Sequence, residues 1–504
     1  MSRGVLLPLF SAVSSTSWGI GDCSDIAPLA TWLASAGFSD LMLLPLGTMS
    51  EGQSSPYSAC SAMAIDPIYI DLDRVDDFAR AGGIAAMDAA ARAALDRARA
   101  SARIDYAAVR HAKGHALDLA FDVFHRDEWA GLTVRAAELA GYSSAQRWWL
   151  DDYALYRALS REQGSGDWAT WPAELRDRDP RALSEARRRL KVEILREQYQ
   201  QWIVERQWTR ARASANDAGI RIYGDVPFAV ETASADVWAR SNEFIRDLSA
   251  GVPPDAFSDT GQDWGLPVYR WEAIAAGGFE WLRRRGRRAR ALFDGIRLDH
   301  LVGFFRTYAR AKNGDAGFTP PDQPAQQWQG EQVLSAVRES GVDLLAEDLG
   351  VIPDFVRATL ERLHVPGYKV FRWERAYDQP GQPFVDPSRY PAESVAASGT
   401  HDTETVAGWW DGLDREARGS AAGTDGPFDE HVRDTLLQRV IAAASGRAFI
   451  PMQDIFGWRD RINTPATVGD HNWTWRLPWP IDRWPETAAA RERAQFCRRT
   501  IRGE

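Results

Sequence analysis

Residues 295–301 read GIRLDHL, a short apolar run that ends beside an acidic residue and a histidine. Seven further runs share this character. They lie at residues 40–46 (DLMLLPL), 65–72 (IDPIYIDL), 220–230 (IRIYGDVPFAV), 342–349 (VDLLAEDL), 367–373 (GYKVFRW), 394–402 (SVAASGTHD) and 449–455 (FIPMQDI). Such nearly continuous apolar runs are typical of strands buried on both faces of a parallel sheet. Because helix-forming stretches lie between several of them, the eight runs predict an α/β protein built on a (β/α)8 TIM barrel.

The eight runs are unevenly spaced, and the gaps predict insertions into the barrel. Residues 74–219 are rich in Ala and Arg and poor in Gly and Pro, which predicts a mostly helical insertion subdomain. Residues 1–73 then hold the first barrel segments, and residues 220–504 hold the remainder. A second insertion, at about residues 235–290, contains the Gly, Pro and Asp residues of a long irregular loop, and loops of that length are often functional.

The composition disfavours several classes of protein. The chain of 504 residues has 60 Lys and Arg against 70 Asp and Glu, and this net charge of −10 argues against nucleic acid or an anionic membrane as the main partner. The sequence contains no run of about 18 apolar residues, the length that would predict a membrane span. The apolar run at residues 4–10 is at the lower limit for a signal peptide, and three scattered cysteines favour a reducing compartment. We therefore expect a cytoplasmic protein.

Four of the predicted strands carry a carboxylate where the strand ends: Asp225, Asp299, Glu347 and Asp402. Catalytic groups of a barrel enzyme come from the C-terminal ends of its strands. A buried strand tolerates an acid only when that acid is paired or used. Any one of these acids alone has the alternative role of a helix N-cap or a turn residue. Four acids at four strand ends favour a shared site.

Arg297 distinguishes two of these acids. It lies two residues before Asp299, and residues i and i+2 of a strand share a face. We expect its charge to lower the pKa of Asp299 and to keep this carboxylate ionised, as a nucleophile requires. Glu347 faces other carboxylates with no evident cation nearby, so we expect a raised pKa, which suits a general acid. A pair of this kind is typical of glycoside chemistry.

Two other kinds of chemistry find little support. His111 and His115 have the spacing of neighbours on one helix face, but no third ligand accompanies them, so we predict no metal site. No glycine-rich nucleotide-binding motif follows a predicted strand, and we predict no cofactor. A metal-dependent barrel enzyme stays an alternative, although Arg297 would repel a cation from the strand ends.

Ten segments, in order along nearly the whole chain, resemble a known family. They are GVLLPLFS…GIGD (4–22), LLPLG (43–47), SPYSACSA (55–62), GDVPFAV (224–230), SADVWA (234–239), PPDAFSDTGQDWGLPVYRW (253–271), GIRLDHLVGFFR (295–306), AEDLG (346–350), GTHDTET (399–405) and INTPATVGDHNWTWRLP (462–478). On these motifs the chain resembles the 4-α-glucanotransferases of the amylomaltase, or disproportionating enzyme, family in the α-amylase clan. The resemblance implies that it transfers α-1,4-glucan segments between maltooligosaccharide donors and acceptors, with retention, by a double displacement.

The resemblance also implies roles for individual residues. Asp299 resembles the nucleophile that forms a covalent glucosyl-enzyme, and Glu347 resembles the general acid/base. Asp402 resembles the third acid, which binds two hydroxyl groups of the sugar at the cleavage point. Residues that resemble the substrate-binding groups of the family are Tyr57, Asp225, Arg297, His401, Phe257, Gln262, Trp264 and Asn472. The stretch at residues 307–323 departs from the common family pattern.

The acids alone leave the reaction open. An α-1,4-glucan hydrolase of the same clan would use the same carboxylates, with water as the acceptor. A non-catalytic glucan-binding protein would keep the aromatic residues but not need the acids. What favours transfer is an acceptor site that binds sugar and excludes water, and the loop around Trp264 is the feature that speaks for one.

Tryptophan is unusually frequent, with 22 residues against 13 tyrosines and 20 phenylalanines. An indole offers a flat apolar surface with one N–H donor, which suits a sugar ring. Trp264 and Trp473 lie in segments that resemble substrate-binding regions of the family. Most of the others lie in predicted helices and are expected to pack, namely Trp148, Trp149, Trp202, Trp208, Trp238, Trp281, Trp409 and Trp410.

Overall fold

The computed structural model describes residues 1–254, 261–467 and 469–504. The strands in these ranges are β1 (Ser2–Leu6), β2 (Asp40–Met42), β3 (Arg221–Val226), β4 (Phe244–Val252), β5 (Gln262–Tyr269), β6 (Gly295–Leu298), β7 (Thr307–Ala311), β8 (Ala316–Thr319), β9 (Asp343–Ala346), β10 (Gly367–Val370), β11 (Ser394–Ala397) and β12 (Arg447–Pro451). Eight of them close into a parallel barrel in the order β1-β12-β11-β10-β9-β6-β3-β2. This confirms the predicted (β/α)8 TIM barrel.

Helices surround the barrel. In chain order the α-helices of the described residues are α1 (Ile26–Ser35), α2 (Asp76–Arg80), α3 (Ala89–Ala100), α4 (Tyr106–Val123), α5 (Val134–Gln163), α6 (Ala173–Arg176), α7 (Pro180–Arg189), α8 (Lys191–Asp217), α9 (Ala235–Ala239), α10 (Trp271–Ala276), α11 (Glu280–Leu292), α12 (Val302–Phe305), α13 (Gln323–Arg338), α14 (Asp354–Arg362), α15 (Val406–Asp411), α16 (Arg415–Ala422), α17 (Glu430–Ile441), α18 (Met452–Phe456) and α19 (Ala488–Arg502). Within the described ranges, no helix combines the length and the apolar character needed to cross a membrane.

The first barrel strand is not the one that the apolar runs predict. Residues 65–72 contain the 3₁₀ turn Pro67–Tyr69 and lead into a second one, Leu72–Arg74, because the side chains of Asp66 and Asp71 accept hydrogen bonds from the backbone two residues ahead and Pro67 has no N–H to donate. The missing strand is β1, at the N-terminus, which pairs with β12 on one side and β2 on the other. Its last three residues belong to the apolar run at residues 4–10.

The stretch between β2 and β3 is mostly helical, from α2 to α8. The long helix α8 is tied to the barrel: Trp208 Nε1 donates to the Leu292 carbonyl at 2.9 Å, and Arg212 Nη2 lies 2.6 Å from Asp294 Oδ1. Helix α8 packs on the barrel strand that follows it, so the helical stretch does not stand apart from the barrel. The division of the chain at residues 74 and 219 stays a prediction.

The second insertion is a sheet rather than an irregular loop. Strands β4 and β5 lie within residues 235–290 and form an antiparallel pair, which β7 and β8 extend in the order β5-β4-β7-β8. The register of β4 and β5 shifts between Ile245 and Ser249 and again between Ala250 and Gly251, and such bulges hide the alternation that predicts a strand. The departing stretch at residues 307–323 supplies β7 and β8 to this sheet.

Most tryptophans of the predicted helices pack in the interior, as expected. Those buried are Trp149, Trp202, Trp208, Trp238, Trp281 and Trp410, whereas Trp148 and Trp409 are half-buried against the core. The indole N–H groups of Trp208 and Trp238 donate to backbone carbonyls, as buried indoles usually do. The high tryptophan content therefore reports mainly on packing.

Gly4 of β1 lies close to both neighbouring strands, so a larger residue at this position tests the closure of the barrel. A Cβ at this position would lie 2.6 Å from the Phe449 ring and 2.8 Å from Asp40 Cβ, atoms of the two strands that flank β1. We expect Gly4→Val to overpack this seam and to lower the free energy of unfolding by about 1–3 kcal/mol. Gly114→Ala, in a helix position with open space around it, is the control and should leave stability equal or slightly higher. Equal thermal midpoints for the two variants would contradict the close packing at β1.

Candidate active site

Three of the strand-end acids line one pocket at the C-terminal mouth of the barrel. Asp299 follows β6, Glu347 follows β9 and Asp402 lies in the turn after β11. The pocket has a volume of about 410 Å³. Five further residues of the predicted site line it: Tyr57, Gln262, Trp264, Arg297 and His401. Asp225, on β3, is buried and reaches the pocket through hydrogen bonds to its lining residues.

Backbone hydrogen bonds between strand ends bring the acids together. The N–H of Asp299 donates to the Val226 carbonyl at 3.1 Å, and the N–H of Glu347 donates to the Leu298 carbonyl at 3.0 Å. The N–H of Leu301 then donates to the Glu347 carbonyl at 3.2 Å. The parallel ladder therefore continues past the last strand residues, and this places the side chains of Asp299 and Glu347 at one mouth.

A buried guanidinium group joins two of the carboxylates. Arg297 lies on β6, and its Nη1 donates to Asp225 Oδ2 at 2.6 Å and to Asp299 Oδ1 at 3.0 Å. The shared face of residues i and i+2, predicted from the sequence, holds for Arg297 and Asp299. Because the Arg297 side chain is 6% exposed, solvent and salt screen both ion pairs only weakly.

The prediction that Asp299 has a lowered pKa is wrong. Burial raises the pKa of Asp299 to about 6, and the charge of Arg297 offsets only part of this rise. Arg297 is shared with Asp225, and the negative charge of Asp225 raises the pKa of Asp299 further. Asp299 is nevertheless mostly ionised at neutral pH.

The prediction for Glu347 is correct in its direction. Burial raises the pKa of Glu347 to about 7, with the charge of Asp299 adding to the rise. The expectation that no cation acts on it is wrong, because Arg297 opposes the rise. Its Oε2 accepts a hydrogen bond from the backbone N–H of His300 at 2.9 Å. Glu347 therefore holds its proton more readily than Asp299 does.

Asp402 is the acid most firmly held as a carboxylate. Burial opposes its ionisation, but the charge of His401 and the hydrogen bonds from His401 and Asn463 outweigh it and lower the pKa of Asp402 to about 2. His401 Nε2 lies 3.1 Å from Asp402 Oδ2, and Asn463 Nδ2 donates to Oδ1 at 2.6 Å. The guanidinium group of Arg461 donates to the Asp402 carbonyl at 2.8 Å. Sequence reasoning missed Asn463 and Arg461; the signal for Asn463 was its place in the segment at residues 462–478.

Tyr57 contacts Asp225 on one side of the pocket and His401, the neighbour of Asp402, on the other. Its hydroxyl group donates to Asp225 Oδ2 at 2.6 Å and lies 3.0 Å from His401 Nε2. Its ring stacks on His401 with a centroid distance of 5.4 Å and an interplanar angle of 24°. Trp473 contacts both of these rings, at 5.6 and 5.8 Å. These contacts fix the orientation of the Tyr57 ring.

His300 connects the antiparallel sheet to Glu347. The Trp264 ring on β5 meets the His300 ring edge-to-face at 4.6 Å, and Trp264 Nε1 donates to Gln262 Oε1 at 3.2 Å. His300 has a left-handed backbone with φ of 44°, a conformation that is uncommon for residues other than glycine but that histidine adopts more readily than most. The same residue donates its N–H to Glu347, so the sheet is in contact with the residue that orients this acid.

Two predicted residues are placed differently or lie outside the description. Asn472 is buried and holds the loop, because it accepts from the Thr464 N–H at 2.9 Å and donates to the Thr467 carbonyl at 2.9 Å. Its neighbour Trp473 lines the pocket instead. Phe257 lies outside the described residues. A role for Asn472 or Phe257 in substrate binding stays a prediction.

His111 and His115, which have the spacing of two ligands on one helix face, have ordinary surroundings. The N–H of Asp88 donates to His115 Nε2 at 3.3 Å, and His111 is exposed. Among residues 1–254, 261–467 and 469–504, no group of three or more His, Cys, Asp or Glu side chains is arranged to hold a metal ion.

Comparison with known proteins decides the family. A family model described as 4-alpha-glucanotransferase matches residues 7–482. The chain belongs to this family. Among relatives of the same name, the protein from Synechocystis sp. is 34% identical over 95% of each chain, and that from Thermus thermophilus is 35% identical over 91% of each chain. The chloroplastic 4-alpha-glucanotransferase of Solanum tuberosum is 32% identical over 92% of this chain and 80% of its own.

Solved structures agree with this assignment. The amylomaltase from Streptococcus agalactiae in complex with acarbose has a TM-score of 0.84 and 26% identity, and the match covers 99% of this chain and 98% of that one. The amylomaltase from Corynebacterium glutamicum, with a TM-score of 0.80 and 22% identity, shares the fold. The resemblance to the amylomaltase family is confirmed. The hydrolase and the non-catalytic binding protein are not favoured, and this 4-α-glucanotransferase is an enzyme that transfers α-1,4-glucan segments.

Asn463 offers a test of how Asp402 is held in this 4-α-glucanotransferase. Asn463→Ala removes a hydrogen bond to a charged, half-buried acceptor, which is worth about 1.5 kcal/mol, and we expect the rate of transfer to fall about tenfold. The matched control is Asn313→Ala, because Asn313 is exposed in the turn between β7 and β8. Initial rates with maltotriose and thermal midpoints of both variants give the answer. Equal rates for the two variants would show that Asp402 does not depend on Asn463.

Proposed function

We propose that this 4-α-glucanotransferase uses Asp299 as nucleophile and Glu347 as general acid/base in a retaining double displacement. The observation that carries the proposal is a single pocket that holds both acids with Asp402, in which Arg297 contacts Asp299 and not Glu347. The two pKa values, about 6 for Asp299 and about 7 for Glu347, leave one acid ionised and the other partly protonated near neutral pH. Retaining glycoside chemistry needs this pair of protonation states.

The reaction follows in two balanced steps. A carboxylate oxygen of Asp299 attacks the anomeric carbon at the cleavage point, and Glu347 gives its proton to the departing glycosidic oxygen. The donor fragment beyond the cleavage point leaves with a new 4-hydroxyl group, and the retained segment stays as an ester of Asp299. The 4-hydroxyl group of an acceptor then attacks the same carbon. Glu347 takes the proton of this hydroxyl group, the ester bond breaks and Asp299 is regenerated.

The remaining acids serve the sugar that reacts. Asp402 stays ionised and faces the pocket, so we assign to it the binding of two hydroxyl groups of that sugar. Asp225 serves this sugar through its neighbours, because its Oδ2 accepts hydrogen bonds from Tyr57 and Arg297, which line the pocket; a direct contact of Asp225 with the sugar stays a prediction. Tyr57, with its ring held by His401, offers an aromatic face for the same sugar.

The antiparallel sheet supports transfer over hydrolysis. Gln262 and Trp264, on β5, line the same pocket as Glu347, and Trp264 contacts His300, whose N–H donates to Glu347. We assign the entry of the acceptor to this side of the pocket. An aromatic surface at this point favours a sugar over water and lowers the chance that water reaches the glucosyl-enzyme. We therefore assign α-1,4-linked maltooligosaccharides to both the donor and the acceptor side.

A cytoplasmic place of action is also part of the proposal. All three cysteines, Cys23, Cys60 and Cys497, are buried and unpaired. Free thiols in the core fit a compartment in which thiols stay reduced.

Variants of the two acids separate their roles. Glu347→Ala should lower transfer from maltotriose by about 10²–10⁴-fold, because the leaving oxygen loses its proton donor. The same variant should still form the glucosyl-enzyme from an α-glucosyl fluoride, whose leaving group needs no proton. Asp299→Asn should lose both reactions. Product chromatography and intact-protein mass spectrometry measure the two outcomes.

The wild-type products test the reaction type in the same assay. Transfer from maltotriose gives glucose together with a ladder of longer maltodextrins, whereas hydrolysis gives only maltose and glucose. Asp354→Asn is the control for the loss of an acid, because Asp354 is exposed in the first turn of α14 and does not line the pocket. Turnover of maltotriose by Asp299→Asn at the wild-type rate would refute the nucleophile assignment.

The pH dependence follows from the same two acids. Below about pH 6 Asp299 takes up a proton and can no longer attack, and above about pH 7 Glu347 loses the proton that it has to donate. We expect kcat/KM for maltotriose to follow a narrow bell whose limbs belong to the pair of acids together. Thermal midpoints over the same pH range control for unfolding. A rate that stays level from about pH 5 to about pH 9 would contradict the assignment.

A further inference from the structure

A second concave surface is formed by the loop that also walls the active-site pocket. We call it the tryptophan groove and define it by Arg103, Trp458, Trp475 and Trp479. Its volume of about 640 Å³ exceeds the 410 Å³ of the active-site pocket and lies in the range of ligand sites. None of its residues belongs to the catalytic machinery described above.

The tryptophans of the groove form a rigid aromatic wall. Trp458 stacks on Phe456 with a centroid distance of 4.3 Å and an interplanar angle of 6°. Trp479 meets Trp458 edge-to-face at 5.5 Å, and Trp475 lies tilted against Trp458 at 5.9 Å. Trp458 and Trp479 are half-buried, so part of each indole faces solvent. The wall therefore needs no rearrangement before a ligand binds.

Some indole N–H groups of this aromatic cluster donate to protein acceptors, and others have none. On the side away from the groove, Trp32 Nε1 donates to the Ala490 carbonyl at 3.1 Å, and Trp484 Nε1 donates to the Trp479 carbonyl at 3.2 Å. In the part of the chain that the structure describes, the N–H groups of Trp458, Trp475 and Trp479 have no protein acceptor, and none of them is a fully buried atom. Three hydrogen-bond donors are thus set in an apolar surface and left open.

Charged side chains stand at the rim of the groove. Arg103 and Asp460 are 46% and 55% exposed, and their closest atoms lie 3.8 Å apart. Apolar rings with donors at their edges and a charged pair at the rim match a molecule with flat C–H faces and many hydroxyl groups. A membrane surface or an apolar protein segment would leave these donors unsatisfied.

The groove is continuous with the active-site wall. The chain that leaves Trp473, which lines the active-site pocket, reaches Trp475 and Trp479 within the same segment, residues 473–479. The other side of this loop, residues 458–463, contains Trp458 and Asp460 of the groove and ends at Asn463, whose Nδ2 donates to Asp402. Arg103 of the groove also contacts the same loop, because its Nη1 donates to the His471 carbonyl at 3.4 Å.

We propose that the tryptophan groove binds an α-1,4-glucan chain at a site separate from the active-site pocket. A long glucan bound there stays attached to the enzyme while one of its ends reacts, which raises the local concentration of that end. A short oligosaccharide cannot occupy both sites and gains nothing. The groove therefore gives the enzyme a preference for long donors or acceptors. This inference rests on the family of the chain and not on the roles proposed for Asp299 and Glu347.

The test compares a long and a short glucan. We expect Trp479→Ala to raise KM for amylose about five- to tenfold and to leave kcat/KM for maltotriose within about twofold of wild type. Binding without turnover is measured by the retardation of Asp299→Asn in native gels that contain amylose, with and without Trp479→Ala. If Asp299→Asn proves active, the proposed nucleophile is wrong, but the loss of retardation still reports on the groove.

The control is Trp328→Ala, since Trp328 on α13 is 52% exposed and lies outside the groove. A second variant, Ala102→Arg, keeps every tryptophan and places a long side chain at the exposed rim. It answers the question if Trp479→Ala fails to fold. Both groove variants should weaken the binding of amylose and leave kcat/KM for maltotriose within about twofold of wild type. Unchanged affinity for amylose in a folded groove variant, or equal losses for amylose and maltotriose, would overturn the proposal.

Discussion

The guanidinium group of Arg297 lies between Asp225 and Asp299, at 2.6 and 3.0 Å, and the organisation of the barrel mouth depends on it. Parallel strands of a closed barrel all end at the same face, so acids at strand ends are forced together. An unpaired buried carboxylate costs several kcal/mol. Arg297 contacts two of the acids, and its charge also acts on Glu347 and Asp402. Without a cation at this position, close acids would take up protons rather than stay ionised.

Burial acts to raise the pKa of each acid, and the partners of that acid determine how far this rise is offset. Asp402 has His401 and the amide of Asn463, and its pKa is about 2. Asp299 shares Arg297 with Asp225, and its pKa is about 6. Glu347 has the backbone N–H of His300 as its closest donor, and its pKa is about 7. The three carboxylates thus differ in proton affinity. Asp402 is paired with a histidine of its own, Asp299 shares its cation with another acid, and Glu347 has only a neutral backbone donor at hydrogen-bond distance.

The sequence predicts the parts of this site that lie on the strands. A strand end, an i to i+2 spacing and an apolar run are local patterns, so the barrel, the four acids and the contact of Arg297 with Asp299 follow from them. The net pKa of Asp299 does not, because it depends on Asp225 from another strand and on burial. Asn463 acts on Asp402 across a distance of 61 residues in the chain. The strand β1 and the run at residues 65–72 show the same limit, since only barrel closure distinguishes a strand from an Asp-capped turn of similar composition.

The antiparallel sheet β5-β4-β7-β8, here called the cover because Gln262 and Trp264 of β5 line the pocket, is built from the connections between the strands that lead to the acids. Strands β4 and β5 lie in the connection between β3, which carries Asp225, and β6, which leads to Asp299. Strands β7 and β8 follow β6 and lead towards β9, which ends at Glu347. Because β4 pairs with both β5 and β7, the sheet assembles only when the connections on both sides of β6 are in register. The contact of Trp264 with His300 then sets the cover against the backbone between the two acids. A displacement of β6 would therefore move Asp299 and the cover together, so the access of water and the position of the nucleophile depend on the same strand.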